Sequence, residues 1–476
     1  MKRACLNADI LRTLLIVGLT IGSGSITYAG QSSPAPTHAG QCSSPFKNKP
    51  VPAKTLRALI ESHGQWLEQR NNPAYHRADL CQSDLRQAAL TEADLERAQL
   101  EGANLRQARL AHSNLSQASL AGADLANAIL EDSNLSGADL RHARLSGAHM
   151  FRAIGDEAAL YDAALVGARL AESTFERAHF EGADLSSADL TNANFVDSYF
   201  YGAILQRATL EGTDLMGADL RRTVLTKANL RQANLQGALL DSARLEQARL
   251  MEADLEGAYM DETNLHEANL REAILRGADM RYANLQGANL NQADLEEANL
   301  EGARLVKTNL QSSKLRMAIF YHAHIDEADF REAHLYRAVF IGARGSRPNF
   351  SKADLSEIYA PKTSLRQAQF NEANLEAANL VAADLSGSHF NHANLTHTNL
   401  HEANLQDATM AGANLTGARL DAADLRRANL RGATLTSVTG LTQAQLDRAC
   451  VDEQTTLPPE LNRPAPCGPA KKQAKP

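Results

Sequence analysis

Residues 283–302 read ANLQG ANLNQ ADLEE ANLEG. These are four pentapeptides in which Leu285, Leu290, Leu295 and Leu300 recur every fifth residue, each with Ala two places before it. The frame extends in both directions from Leu80 to Leu435 without insertion or deletion. Of its 72 fifth positions, 69 are Leu, Phe, Met or Ile, the exceptions being Gly155, Gly345 and Ala360. Two residues earlier, 70 are Ala, Ser or Thr, the exceptions being Pro348 and Ile358. The residue between is often Asp or Asn, as in Ala93-Asp94-Leu95.

Residues two apart on an extended chain face the same side, so Ala and Leu point in together and the Asp or Asn between them points out. Five is odd, so an uninterrupted strand would put the next Leu outside. A corner every five residues restores the inward direction, and Gly often sits at its second place, as at Gly102, Gly147, Gly212 and Gly287. A helix of 3.6 residues per turn cannot hold this period on one face. The ten Phe at fifth positions give the number of corners per turn. Each has a Phe partner twenty residues away, which is four sides. Phe330, Phe350, Phe370 and Phe390 then form one internal ladder, with about 4.8 Å between coils, a spacing that suits offset ring stacking.

The pattern resembles the pentapeptide-repeat family, whose hallmark is Ala-Asp/Asn-Leu-X-X, over about 360 of the 476 residues. The resemblance implies an all-β fold, a right-handed four-sided parallel β-helix with inward Leu/Phe and Ala rows, here closed by short helical caps. Seventy-two pentapeptides give 18 coils and a shaft roughly 86 Å long at ~4.8 Å per coil. Length alone suggests about three domains. The repeat reduces this to one solenoid, and its Leu and Ala interior accounts for an aromatic content of only 5%.

Outside the shaft, Lys2, Arg3 and Arg12, the apolar run Leu14 to Ile21 and the small residues up to Ala29 and Gly30 read as a secretory signal peptide over 1–30. Export to the periplasm or the medium follows, with no membrane span once the signal is removed. Residues 31–52 read as a Pro-rich exposed leader and 53–75 as an N-terminal helical cap with Leu56, Leu59, Ile60, His63 and Leu67 on one face. In this reading Trp66 packs on the first coil. The shaft is 76–435, a C-terminal cap with a Thr442/Gln445 capping box is 436–453, and 454–476 is a loose tail. Four cysteines remain after export: Cys42, Cys81, Cys450 and Cys467. Pairing Cys42 with Cys81 and Cys450 with Cys467 keeps each bridge local; four unpaired thiols is the alternative.

The chemistry of sites is sparse. There is no glycine-rich phosphate loop, paired-Cys zinc motif or nucleophile elbow. The carboxylates follow the repeat rather than pairing as acid and base. His389, His392, His397 and His401 share about one coil but are spread around its corners, so no metal or other cofactor is expected. Two places break the rule, residues 151–157 around Gly155 and the coil 344–363; the second carries Arg344, Arg347, Lys352, Tyr359 and Lys362, and reads either as a candidate interaction loop or as a tolerated irregularity of the shaft. Tyr161, Tyr201 and Tyr321 occupy corresponding corners.

The net charge of −8 excludes a strongly basic nucleic-acid binder, and residues 76–435 carry 49 acidic and 35 basic residues. Together these features favour an exported, non-enzymatic scaffold for a protein or cell-envelope component, with no nucleic-acid partner; a homodimer is compatible with it. Two other readings compete. Family resemblance allows a DNA-mimicking protector of gyrase, which a signal peptide would send to the wrong compartment. The tyrosine row allows a carbohydrate-binding module.

Overall fold

In the pentapeptide 120–124, Leu120 and Gly122 donate their N–H groups forward to Asp139 and Arg141 of the next coil, and Asp124 donates back to Ala103 of the previous one. Ala123 closes the corner onto the Leu120 carbonyl at 2.9 Å. This arrangement employs four of the five backbone N–H groups. The fifth belongs to the residue after each Leu, and its acceptor is commonly the Oδ1 of the Asp or Asn two places earlier, as for Ala126 on Asp124, Ser136 on Asn134 and Gln311 on Asn309. The Asp/Asn preference at the outward position thus has a cause. The side chain makes an Asx turn that supplies the one acceptor the coil backbone lacks.

These bonds repeat around a right-handed, four-sided β-helix, seen in a computed structural model that describes residues 42–72 and 74–465. Parallel pairing runs from residue n to n+20, from Asp79 with Gln99 to Arg419 with Thr439. Each side contributes only one or two paired residues, so among the described residues the only three-residue strands are β1 (Arg344–Ser346) and β2 (Ser364–Arg366), which pair in register. The described residues also form two helices, α1 (Ala53–Glu68) and α2 (Gln443–Leu446).

The corners are uniform. The second residue after every inward position, from Gln82 to Ser437, has positive φ, usually near +57° and 53 times in a residue other than Gly. A closed four-residue turn with positive φ at its third place is a type II turn. Val, Ile and Thr never occupy this place, as expected where a branched Cβ would crowd the left-handed backbone.

Inside, the Leu and Ala rows are almost wholly inaccessible, each Leu contributing about 1.5–3 kcal/mol relative to exposure. Ser and Thr at Ala positions are satisfied from within: Thr213 Oγ1 donates to the Leu190 carbonyl and Ser113 Oγ to that of Leu110. The Phe rings stack in pairs at spacing twenty. Phe330, Phe350, Phe370 and Phe390 form a continuous ladder with centroids 4.7, 5.1 and 4.7 Å apart. Phe175–Phe195, Phe180–Phe200 and Phe320–Phe340 are shorter ladders.

Both ends depart from the sequence expectation. Residues 42–52 are not a free leader. Asn48 and Val51 donate to the Gln82 and Asp84 carbonyls, Pro50 pairs with Asp84, and Ser44 is buried, so this segment covers the open edge of the first coil. A disulfide joins Cys42 to Cys81 with Cα atoms 5.7 Å apart. Helix α1 lies beside it with Leu56 and His63 buried. His63 accepts the Ala78 N–H at Nδ1 and contacts the Glu96 carbonyl through Nε2, and Trp66 stacks on its ring. At the other end the coil does not stop at Leu435. Asn429 pairs with Cys450 and Thr434 with Thr456, so non-repeat residues complete the last turn around α2, whose Thr442/Gln445 capping box is present. Such ends protect edges that would otherwise pair with other chains. Cys450 is disulfide-bonded, while the signal segment 1–30, the first part of the leader and Cys467 lie outside the described residues. No helix among the described residues is long and apolar enough to cross a membrane.

Candidate interaction surface

Four sides give four outward faces, named here by their first pentapeptides: 78–82, 83–87, 88–92 and 93–97 for faces one to four. A surface patch is therefore built from residues twenty apart, not from neighbours in sequence. Arg344 and Arg347 lie on face two, Lys352 on face three, and Tyr359 and Lys362 on face one. The structure does not bring these five together. The coil 344–363 also keeps its pairing with both neighbours, so no bulge rises from it. The irregular residues are accommodated locally. At Gly345 a Cβ would meet the backbone of Ile325, and Pro348 has no N–H with which to close its corner. Arg344 donates to His324 Nε2 at 2.9 Å and Arg347 pairs with Glu327.

The four histidines stay apart too. His389 contacts Thr409 Oγ1 and His401 the Asp421 carbonyl, each one coil on, while the His392 and His397 rings lie over Gly412 and Gly417. Among the described residues, the one group of His, Cys, Asp or Glu with converging ligand atoms is Cys42, Asp79 and Cys81, whose sulfurs are joined to each other.

The faces differ in charge. Outward residues of 78–437 sum to −7 on face one, +3 on face two, −2 on face three and −9 on face four, with both signs present on each. Many charges are internally paired. Arg141, Arg221 and Arg281 each hold the Asp two places before them, Asp139, Asp219 and Asp279, at 2.6 to 2.7 Å.

Face one also gathers the tyrosines. Of the eight between residues 78 and 437, seven lie on it (Tyr161, Tyr199, Tyr201, Tyr259, Tyr282, Tyr321 and Tyr359), and only Tyr336 lies elsewhere. The corner row contained three of them. Tyr199, Tyr259 and Tyr359 escape it because they stand at the middle position, two residues before the corner row. Reading all outward positions at spacing twenty would have found them. Tyr161, His179 and Tyr199 stack ring on ring at 5.0 and 4.6 Å. Burial beside Glu181 pushes the Tyr161 hydroxyl up to about 12. Arg222 and Arg221 lie over the Tyr201 ring. Tyr259 and Tyr282 are 51% and 56% exposed.

Several carboxylates near these rings form no salt bridge. Asp241, Asp261, Glu262 and Glu301 are in none among the described residues; Arg221 and Arg281 are bonded to Asp219 and Asp279 and act on Asp241 and Asp261 only through space. Asp241 accepts the Asp261 N–H at 3.2 Å, and burial raises both carboxyls above the usual range. Asp261 Oδ1 and Glu181 Oε2 are the two buried side-chain polar atoms with no hydrogen-bond partner among the described residues, and both are on this face.

Comparison with known proteins agrees with this architecture. The family profile described as pentapeptide repeats matches in overlapping windows from residue 76 to residue 451, interrupted chiefly at 152–162 and 317–322. Among solved structures, HetL of the cyanobacterium Nostoc sp. strain PCC 7120, a pentapeptide repeat protein involved in heterocyst differentiation regulation, is 32% identical over 48% of this chain and 92% of its own, with a TM-score of 0.34. A pentapeptide repeat protein of the Arabidopsis thaliana thylakoid lumen is 30% identical over 22% of this chain and 71% of its own, with a TM-score of 0.13. QnrB1, a plasmid-mediated fluoroquinolone resistance protein, is 18% identical over 46% and 90%, with a TM-score of 0.20. The comparison with curated proteins finds no match. With the repeat, the coil hydrogen bonding and the family profile in agreement over most of its length, the chain belongs to the pentapeptide-repeat family.

Proposed function

We propose that this protein is an exported, non-enzymatic scaffold that offers the sides of a rigid rod to a protein or cell-envelope partner. The observation that carries the reading is the contrast between an invariant interior and four outward faces of unlike composition, on a shaft whose described residues converge on no catalytic set. The Cys42–Cys81 disulfide supports an oxidising compartment, in keeping with the signal-like residues 1–30. Basic residues on every face weigh against a duplex mimic, since even the most acidic face carries six.

The test is site-specific photo-crosslinking. A crosslinkable residue is placed on each face in turn, and products are sought in the exported fraction. A discrete product from one or two faces is expected. Retention of the chain in the cytoplasm, or absence of products from all four faces, would refute the reading.

A further inference from the structure

Given that reading, the side that docks can be named. Between Tyr199 and Tyr282, face one spans about four coil steps, or roughly 20 Å, a length that suits one side of a protein interface. It presents Tyr259 and Tyr282 more than half exposed, beside Asp241, Asp261 and Glu262, which form no salt bridge among the described residues. Tyr is enriched among the residues that carry most of an interface's binding energy.

One ring face is covered at Tyr199 by His179, at Tyr201 by Arg222 and at Tyr282 by Gly302. The Asp241, Asp261 and Glu262 carboxylates beside these rings are what suit a protein surface bearing cations. The buried oxygen of Asp261 has no hydrogen-bond donor, so its own chain leaves this carboxylate short of hydrogen-bond partners. We infer that face one between Tyr199 and Tyr282 is the docking surface for a protein partner whose contacting side chains are Arg or Lys.

The experiment compares equal charge losses on two faces of the full chain. The probe is a fluorescein-labelled peptide of alternating Arg and Ser, followed by anisotropy. One variant combines Asp241→Asn, Asp261→Asn and Glu262→Gln on face one. The other combines Glu256→Gln, Glu296→Gln and Glu297→Gln on face four. The first is expected to weaken binding about tenfold or more and the second less than about twofold, with Tyr259→Ala plus Tyr282→Ala also losing about tenfold. Circular dichroism establishes that each variant is folded, and a variant that is not folded is replaced by Asp261→Asn alone. Equal losses from both faces would mean that only net charge is read, and would overturn the inference. So would no binding by the unaltered chain, or retention of a soluble polysaccharide through Tyr259 and Tyr282 instead. Crosslinks arising only from faces two to four would overturn it while leaving the scaffold reading intact.

Discussion

Gly155 is empty so that Phe175 can fit. It stands where the repeat calls for Leu, and a Cβ built there would fall within the Phe175 ring, one coil on in the same row. Its φ is not in the left-handed region, so space and not backbone freedom selects the residue. Phe175 continues into the stack with Phe195. Restoring the consensus by Gly155→Leu should therefore destabilise the protein, by about 1–3 kcal/mol for an overpacked core. Combining it with Phe175→Leu should recover most of the loss, because two side chains in contact couple strongly. Denaturant unfolding of the four proteins in this cycle measures it; additive effects would disprove the pairing.

The corner residue Gln292 has φ near +59° and its side chain makes no hydrogen bond among the described residues. Gln292→Gly should raise stability by up to about 1 kcal/mol by relieving the left-handed backbone, less its unfolded-state entropy. Gln292→Val should lower it by roughly 1–2 kcal/mol. Thermal melting of the two variants should rank them on opposite sides of the parent. A neutral Val would mean that the absence of β-branched residues from all 72 corners has another origin.

Why some of this was legible and some not follows from where each constraint acts. An inward Leu or Ala touches only its own row and the facing rows, so period five, the four-sided turn and the Phe330 to Phe390 ladder could be read from spacing alone. The outward surface obeys no such rule. A contiguous window such as 344–363 wraps around the rod, which is why Arg344, Lys352 and Tyr359 looked like one loop yet lie on three faces. Residues 46–51 and 450–456 were opaque for a different reason. They continue the pairing without the repeat, held by backbone bonds such as Asn48 to Gln82 and Leu435 to Thr456 that any side chain allows. The tyrosine face was visible in outline through Tyr161, Tyr201 and Tyr321, and incomplete because Tyr199 and Tyr259 stand at a different place in the pentapeptide.

The Cys42–Cys81 bridge joins residues 39 apart in sequence and closes a loop that includes α1 and the segment that covers the first coil. In the chain-entropy relation a loop of this length is worth about 3–4 kcal/mol. Because a solenoid is stabilised between neighbours, Cys42→Ser with Cys81→Ser should release the N-terminal cap and leave the distant coils folded. Hydrogen exchange should rise at 44–51 and in the first coil and stay unchanged beyond it, while the uncovered edge promotes self-association. Uniform exchange along the whole shaft would contradict this local view.

His63 makes the docking of α1 sensitive to acid. Its Nδ1 accepts the Ala78 N–H at 3.1 Å, a bond that only the neutral ring can make, and burial lowers its pKa below the ordinary value of 6.5. The unfolded or undocked segment therefore binds a proton more readily than the docked one. The docking contribution is fully present above pH 6.5 and is lost as pH falls from there through the lowered native value. Trp66, the only tryptophan, stacks on His63 at 5.4 Å and reports the change. On titration from pH 8 to pH 4, Trp66 should become more accessible to acrylamide as α1 lifts from the first coil. His63→Leu removes the titrating group and should flatten that profile. A profile that survives the substitution would place the acid response in the nearby carboxylates Asp94 and Glu96 instead.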